Sequence, residues 1–259
     1  MAGADERLQR AVLDRVFDAL RRTETSSTPP EIGDRIHRIV RQEVGSGDPY
    51  RLAKEKSTRQ ALAFYPRLKA LMSEAGDPLD TAIRLSIAGN IIDLAPAQKY
   101  DLWENVERVL AQPFAVDHGA AFRGGLSRVG QVLYLADNAG ETVFDRVLIE
   151  TLDVPVVYAV KGGPVLNDAT LEDAQAAGVD RVAKVVSTGS DAPGTILRCC
   201  SAEFRQLYDE AELIVAKGQA NYETLSDQGA RLFFLLQAKC AVIARDLGVP
   251  VRSIVLRQG

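Results

Sequence analysis

The sequence predicts an α/β fold: an open, mostly parallel sheet sandwiched by helices, with an α-helical part ahead of it. Three observations predict it. From Asp5 to about Leu110 the apolar residues recur at helical spacing and no stretch reads as a strand. From Gly130 onward six short apolar runs, "QVLYLA", "VPVVYAV", "RVAKVVS", "ELIVAK", "RLFFLLQ" and "VRSIVL", alternate with helical segments. Those runs are continuously apolar and rich in Val, Ile and Leu, as strands buried on both faces are.

Residues 1–110 are therefore expected to form a helical N-terminal part and residues 111–259 an α/β core carrying the site. Within the first part the breakers "TSSTPPE", "GSGDPY" and "AGDPLD" separate the helices. Asp48-Pro49 and Asp77-Pro78 each read as an N-cap followed by a first-turn proline, because proline gives up only an amide that a helix start leaves unpaired. Ala61, Leu62, Tyr65, Leu68 and Leu71 share one face of the intervening helix and are expected in the core. Met1 to Glu24 is charged and helix-prone and has neither the apolar run nor the cleavage pattern of a secretory signal, so a cytoplasmic location is expected.

Composition narrows the function classes. The 259 residues are 46% hydrophobic and 25% charged, and no apolar run approaches a bilayer span. A net charge of −4 argues against a general nucleic-acid binder, while a local basic pocket for a small phosphorylated molecule remains compatible with it. The three cysteines, Cys199, Cys200 and Cys240, have neither zinc-ligand nor disulfide-framework spacing. With only His37 and His118 available, a multi-histidine metal site is excluded, and any metal must rely on oxygen ligands.

Ligands of open α/β sheets bind beyond the carboxyl ends of the strands. Four consecutive strands here end in polar, glycine-bearing loops: "LADNAGE", "KGGPVLNDAT", "STGSDAPGT" and "AKGQANYE". They bring forward Asp137, Asn138, Asn167, Asp168, Ser190, Asp191, Lys217 and Asn221. Singly, Asp168, Ser190 and Asp191 also suit helix caps. Asp137-Asn138 exceeds what one cap requires. Carboxylate and amide oxygens suit Mg²⁺ and Mn²⁺, and the amide admits the more borderline Co²⁺ and Ni²⁺ as well, so Asp137, Asn138 and Asp168 suffice as protein ligands. Phosphate is the natural substrate group for such a site, with Lys217 and the amides of the Gly189 to Gly194 loop as its expected cradle. No Walker A loop, dinucleotide-binding glycine motif, nucleophile elbow or H-E-x-x-H occurs, and Asp137 lacks the D-x-D-x-[TV] context of haloacid-dehalogenase-type phosphatases.

The chain resembles the metal-dependent damage-control phosphatases in "AGNIID" at Ala88 to Asp93, "LADNAGE", "VKGGPVLNDAT", "STGSDAPGT", "VAKGQANYETL" and "LLQAKCAVIARDLGV", in that order from roughly Gly47 to the C-terminus. It looks most like the compact microbial branch. The resemblance implies a cytosolic phosphatase holding a divalent metal through Asp137, Asn138 and Asp168, with Lys217 on the substrate phosphate and Asn90 and Asp93 approaching from the helical part. It departs in having no Cys-x-x-Cys pair near the N-terminus, so no role of that pair transfers.

The expected function is metal-dependent hydrolysis of a phosphomonoester, a sugar phosphate or a damaged phosphorylated metabolite. Asp137 or an activated water is the nucleophile, Asp168 and Asp191 are the candidate general bases, and Ser190 and Asn221 are expected to line the substrate. The alternatives are a non-catalytic metabolite-binding protein and a carboxyl methyltransferase. The second conflicts with the absence of a glycine-rich nucleoside loop after the first predicted strand. The sequence is silent on oligomeric state.

Overall fold

The computed structural model describes residues 5–24, 27–45, 47–90 and 102–259. Five helices come first: α1 (Glu6–Arg21), α2 (Pro29–Val44), α3 (Arg51–Glu74), α4 (Pro78–Gly89) and α5 (Leu102–Ala111). Strands and helices then alternate through β1 (Phe114–Asp117), α6 (Gly119–Leu126), β2 (Val132–Leu135), α7 (Thr142–Ile149), β3 (Val156–Val160), α8 (Leu171–Ala176) and β4 (Lys184–Ser187). They continue through α9 (Ala202–Glu210), β5 (Ile214–Lys217), α10 (Gly218–Leu225), β6 (Leu232–Gln237), α11 (Ala241–Leu247) and β7 (Ile254–Gln258). The six strands read from sequence are all present. The seventh, β1, is a four-residue edge strand, half exposed and too short to show as an apolar run.

One open sheet results, in the order β1-β7-β6-β5-β2-β3-β4. Every neighbouring pair is parallel except β6 and β7. From β2 the chain winds outward through β3 to β4, and from β5 it winds the other way through β6, so the winding reverses between β2 and β5. That reversal opens a crevice above the carboxyl ends of these two strands.

Alternate strand residues feed two cores. Tyr134, Tyr158, Val215 and Leu235 pack with Leu68 of α3, Leu85 of α4, Val106 of α5 and Phe144 of α7 on one face. Leu135, Ala159, Ala216 and Phe234 pack with Phe204, Tyr222 and Ile243 of α9, α10 and α11 on the other. The face read from sequence on α3 lies in the first core, with Ala61 and Leu68 buried and Leu62, Tyr65 and Leu71 against it. Asp77 caps α4 as expected, its Oδ1 accepting from Asp80 N at 3.1 Å. Asp48 instead holds the turn before α3, accepting from Tyr50 N and pairing with Lys54. No described helix is long and apolar enough to cross a membrane.

Candidate functional site

The site begins where β2 gives out. After Leu135 the chain turns through Asp137 and Asn138 and meets the loop that follows β3: Ala139 N donates to Asn167 O and Ala169 N to Asp137 O, both at 2.8 Å. This two-way backbone stitch pairs Asn138 with Asp168 across the gap. Asp168 is thereby released from capping. The cap of α8 is made instead by Thr170 and Asp173, in a reciprocal capping box.

Asn90, the C-cap of α4, approaches from the helical side. Its Nδ2 donates to Asp137 Oδ2 at 2.8 Å and also to Glu141 Oε1. Asn138 Nδ2 donates to the same two carboxylates, to Glu141 at 2.8 Å and to Asp137 at 3.2 Å. Two buried oxygens are left with no hydrogen-bond donor among the described residues: Asn90 Oδ1 and Asp168 Oδ2. Buried acceptors without a donor are rare because each forfeits its hydration, and the Asp168 oxygen has in return only the Lys161 ammonium at 3.4 Å. Gly218 closes the wall opposite. Its φ is +77°, and a Cβ there would overlap the Asp137 carboxylate.

The carboxylates crowd one another. Burial first, and then the charge of Asp168, push the Asp137 carboxyl up to about 6 against the opposing fields of Lys239 and Lys217. Burial likewise raises Asp168 to about 6, offset in part by Lys161. Glu141 rises to about 7, chiefly by burial, with Lys217 opposing and Asp137 and Asp145 reinforcing. A divalent cation fits this donor set, since it would engage the orphaned oxygens and relieve the repulsion. Among the described residues no three His, Cys, Asp or Glu side chains could hold a metal by themselves, so the set that fits combines Asp137 and Asp168 with amide oxygens of Asn138 and Asn90.

Other expected residues sit differently. Lys217 is fully buried, and its ammonium donates to Ser86 O at 2.9 Å, Glu141 Oε2 at 3.1 Å and Asp145 Oδ1 at 2.7 Å, which uses all three N–H groups. It is therefore not available to a substrate phosphate. The reason is strand parity: Val215 faces the first core, and Lys217, two residues on, points the same way instead of off the strand end. Although burial disfavours its charge, Asp145 and Glu141 outweigh that and raise its pKa. Asn221 is also no substrate group. It donates to Ala136 O and Lys217 O and accepts from Thr195, clamping β2 to α10.

Asp191 is not placed as a general base, because Arg38 and Arg41 of α2 each hold one of its oxygens at 2.8 Å. Ser190 shapes its loop: Oγ accepts from Ala192 N at 3.2 Å, and its carbonyl accepts from Gly162 N at 2.8 Å. Asp93 lies outside the described residues.

Two lysines missed by the sequence reading border the crevice. Lys161, the first residue after β3, donates to Gly194 O and stands 3.4 Å from Asp168 Oδ2 without hydrogen-bond alignment. Lys239 follows β6 by two residues and lowers the Asp137 pKa through its charge. Position carried the signal for both. Each lies within two residues of the carboxyl end of a buried strand, on the edge where Asp137 lies.

A family model described as the damage-control phosphatase ARMT1-like domain matches residues 1–255. The chain belongs to that family. The damage-control phosphatase of Pyrococcus horikoshii is 36% identical over 239 residues, 89% of this chain and 81% of that one. The damage-control phosphatase of Archaeoglobus fulgidus is 36% identical over 236 residues, 87% and 81% of the two chains. A crystal structure of the Pyrococcus protein, described as a DUF89 family protein, superposes with a TM-score of 0.89 at 33% identity, covering 99% of this chain and 92% of that one. Membership in the damage-control phosphatase family supports phosphatase activity for the chain.

Proposed function

We propose that the protein hydrolyses the phosphomonoester of a small phosphorylated metabolite, with a divalent cation such as Mn²⁺, Co²⁺, Ni²⁺ or Mg²⁺ held by Asp137, Asn138 and Asp168. The observation that carries this reading is the pair of buried oxygens, Asn90 Oδ1 and Asp168 Oδ2, that have no hydrogen-bond donor among the described residues, beside Asp137 at the crevice of a phosphatase-family sheet. A cation bound there supplies Lewis-acid neutralisation of the charge on the phosphoryl oxygens.

The chain's own residues do the rest. Lys161 presents an ammonium between Asp168 and the Gly189 to Gly194 loop, where it can pair with a phosphoryl oxygen; this is the role the sequence suggested for Lys217. Lys239 adds a second positive field over Asp137. Glu141 and Asn138 hold the Asp137 carboxylate in place through the shared amide contacts.

The test is phosphate release by purified protein from a panel of sugar phosphates and an aryl phosphate, before and after exhaustive chelation and with each metal restored. Release that needs the metal supports the reading. Full activity after chelation, or no release from any substrate with any metal, contradicts it.

A further inference from the structure

Glu141 is fully buried and touches neither solvent nor the orphaned oxygens, yet it sits where the two site amides converge. Its Oε1 accepts from Asn90 Nδ2 and Asn138 Nδ2, and its Oε2 accepts from Lys217. Behind Lys217 stands Asp145, which accepts from Tyr134 at 2.7 Å, Tyr158 at 2.7 Å and Ser86 at 2.9 Å. The two amides also donate to Asp137 Oδ2, and apart from the Lys217 bond to Ser86 O every bond in this chain points at a carboxylate.

That polarity has a geometric consequence. An ionised carboxylate only accepts hydrogen bonds and an ammonium only donates. Any side-chain amide that faces Glu141 must turn its NH₂ toward it, and the carbonyl oxygen of the same amide is then directed the other way. Asn90 Oδ1, which has no donor among the described residues, is in that position. We propose that Glu141 is a positioning residue: it fixes the orientation of the Asn90 and Asn138 amides so that both carbonyl oxygens, and not the NH₂ groups, are offered to the cation. The inference rests on the cation site proposed above.

Replacing Glu141 with glutamine inverts the polarity while keeping the shape. Lys217 can only donate, so the new amide must turn its carbonyl to Lys217 and its NH₂ to the asparagines. The NH₂ groups of Asn90 and Asn138 then face another donor and keep only Asp137 Oδ2 as acceptor, so the contact with Glu141 that turns their oxygens to the cation is lost. An aspartate at 138 is immune to this inversion because it carries an oxygen on each side.

The test is a double-mutant cycle read by calorimetric titration of chelator-stripped protein with Mn²⁺, using wild type, Glu141→Gln, Asn138→Asp and the double variant, with metal-free melting of each. Glu141→Gln is expected to weaken Mn²⁺ roughly ten- to a hundredfold, the usual effect of removing a group that orients a ligand. In the Asn138→Asp background the same change is expected to cost only a few-fold. Were Glu141 merely the counter-charge of Lys217, its replacement would lower the melting temperature and leave the cycle additive.

Equal loss in both backgrounds, or unchanged affinity in Glu141→Gln, overturns the inference while leaving the cation site standing. A wild type that binds no Mn²⁺ overturns both. Should Glu141→Gln fail to fold, Lys217→Met/Glu141→Gln removes the Lys217–Glu141 ion pair, leaves Asp145 to its three hydroxyl donors, and frees the glutamine carbonyl to face the asparagines. That variant, folded, is expected to bind Mn²⁺ within about tenfold of wild type, and a folded variant without binding overturns the inference.

Discussion

At the scale of single residues, the two lysines that follow strands differ in what surrounds the ammonium. Lys217 has three acceptors and no exposure, so Lys217→Met leaves Glu141 and Asp145 buried without their cation and is expected to destabilise the fold by about 3–5 kcal/mol. Denaturant unfolding measures this, and an unchanged midpoint would remove Lys217 from the core network. Lys161 is buried as well and ion-paired with Asp168, so Lys161→Met is expected to lower stability, by less than Lys217→Met, and to lower kcat/KM roughly ten- to a hundredfold. Mn²⁺ affinity should hold or rise, because a like charge leaves the neighbourhood of Asp168. Near-wild-type kcat/KM would exclude Lys161 from the phosphate. Gly218→Ala drives a methyl into the Asp137 carboxylate and puts a side chain at φ +77°, so Mn²⁺ affinity should fall at least about tenfold. Titration of the folded variant with undiminished affinity would show that the close approach is dispensable.

At the scale of elements, helices α3 and α7 are tied by Glu150 of the turn after α7, which accepts from Tyr65 at 2.6 Å, Lys69 at 2.8 Å and Arg146 at 2.8 Å. Burial alone would raise this carboxyl, but the three donors outweigh it and bring it below its ordinary value. A depressed folded-state value contributes stability that is present above the unfolded-state value and is lost as pH falls through the folded one. Thermal melting of wild type and Glu150→Gln should therefore show a gap at neutral pH that closes below the ordinary glutamate range; a gap constant through acid would refute the tie. Elements were also where the sequence was most legible. Six strands showed as continuous apolar runs because both their faces are covered, and the packing of α3 followed from its helical spacing. What the sequence hid was direction. The strand-end position of Lys217 suggested an outward ammonium, whereas its parity with Val215 turns it inward. Asp191 stood in a loop of the right composition, but its arginine partners come from α2, about 150 residues earlier in the chain, a pairing no local pattern reports.

At the scale of the whole molecule, the sheet places its winding reversal between β2 and β5 and the α4 helix carries Asn90 to the same crevice, so residues from Asn90 to Lys239 border one pocket of charge. The Asp137-Asn138 pair and Asp168 were legible because they exceed what capping needs. Glu141 was not, since its meaning depends on which groups its two oxygens face. The central claim is that this convergence holds a cation on which turnover depends. The most direct test combines two readings on one sample: Mn²⁺ is titrated into chelator-stripped protein by calorimetry, and phosphate release from an aryl phosphate is followed at each point. A single binding event whose midpoint coincides with the rise of phosphate release, with both absent in a folded Asp168→Ala variant, is the predicted result. Phosphate release that is already complete in the stripped protein, or that persists undiminished in Asp168→Ala, would contradict it.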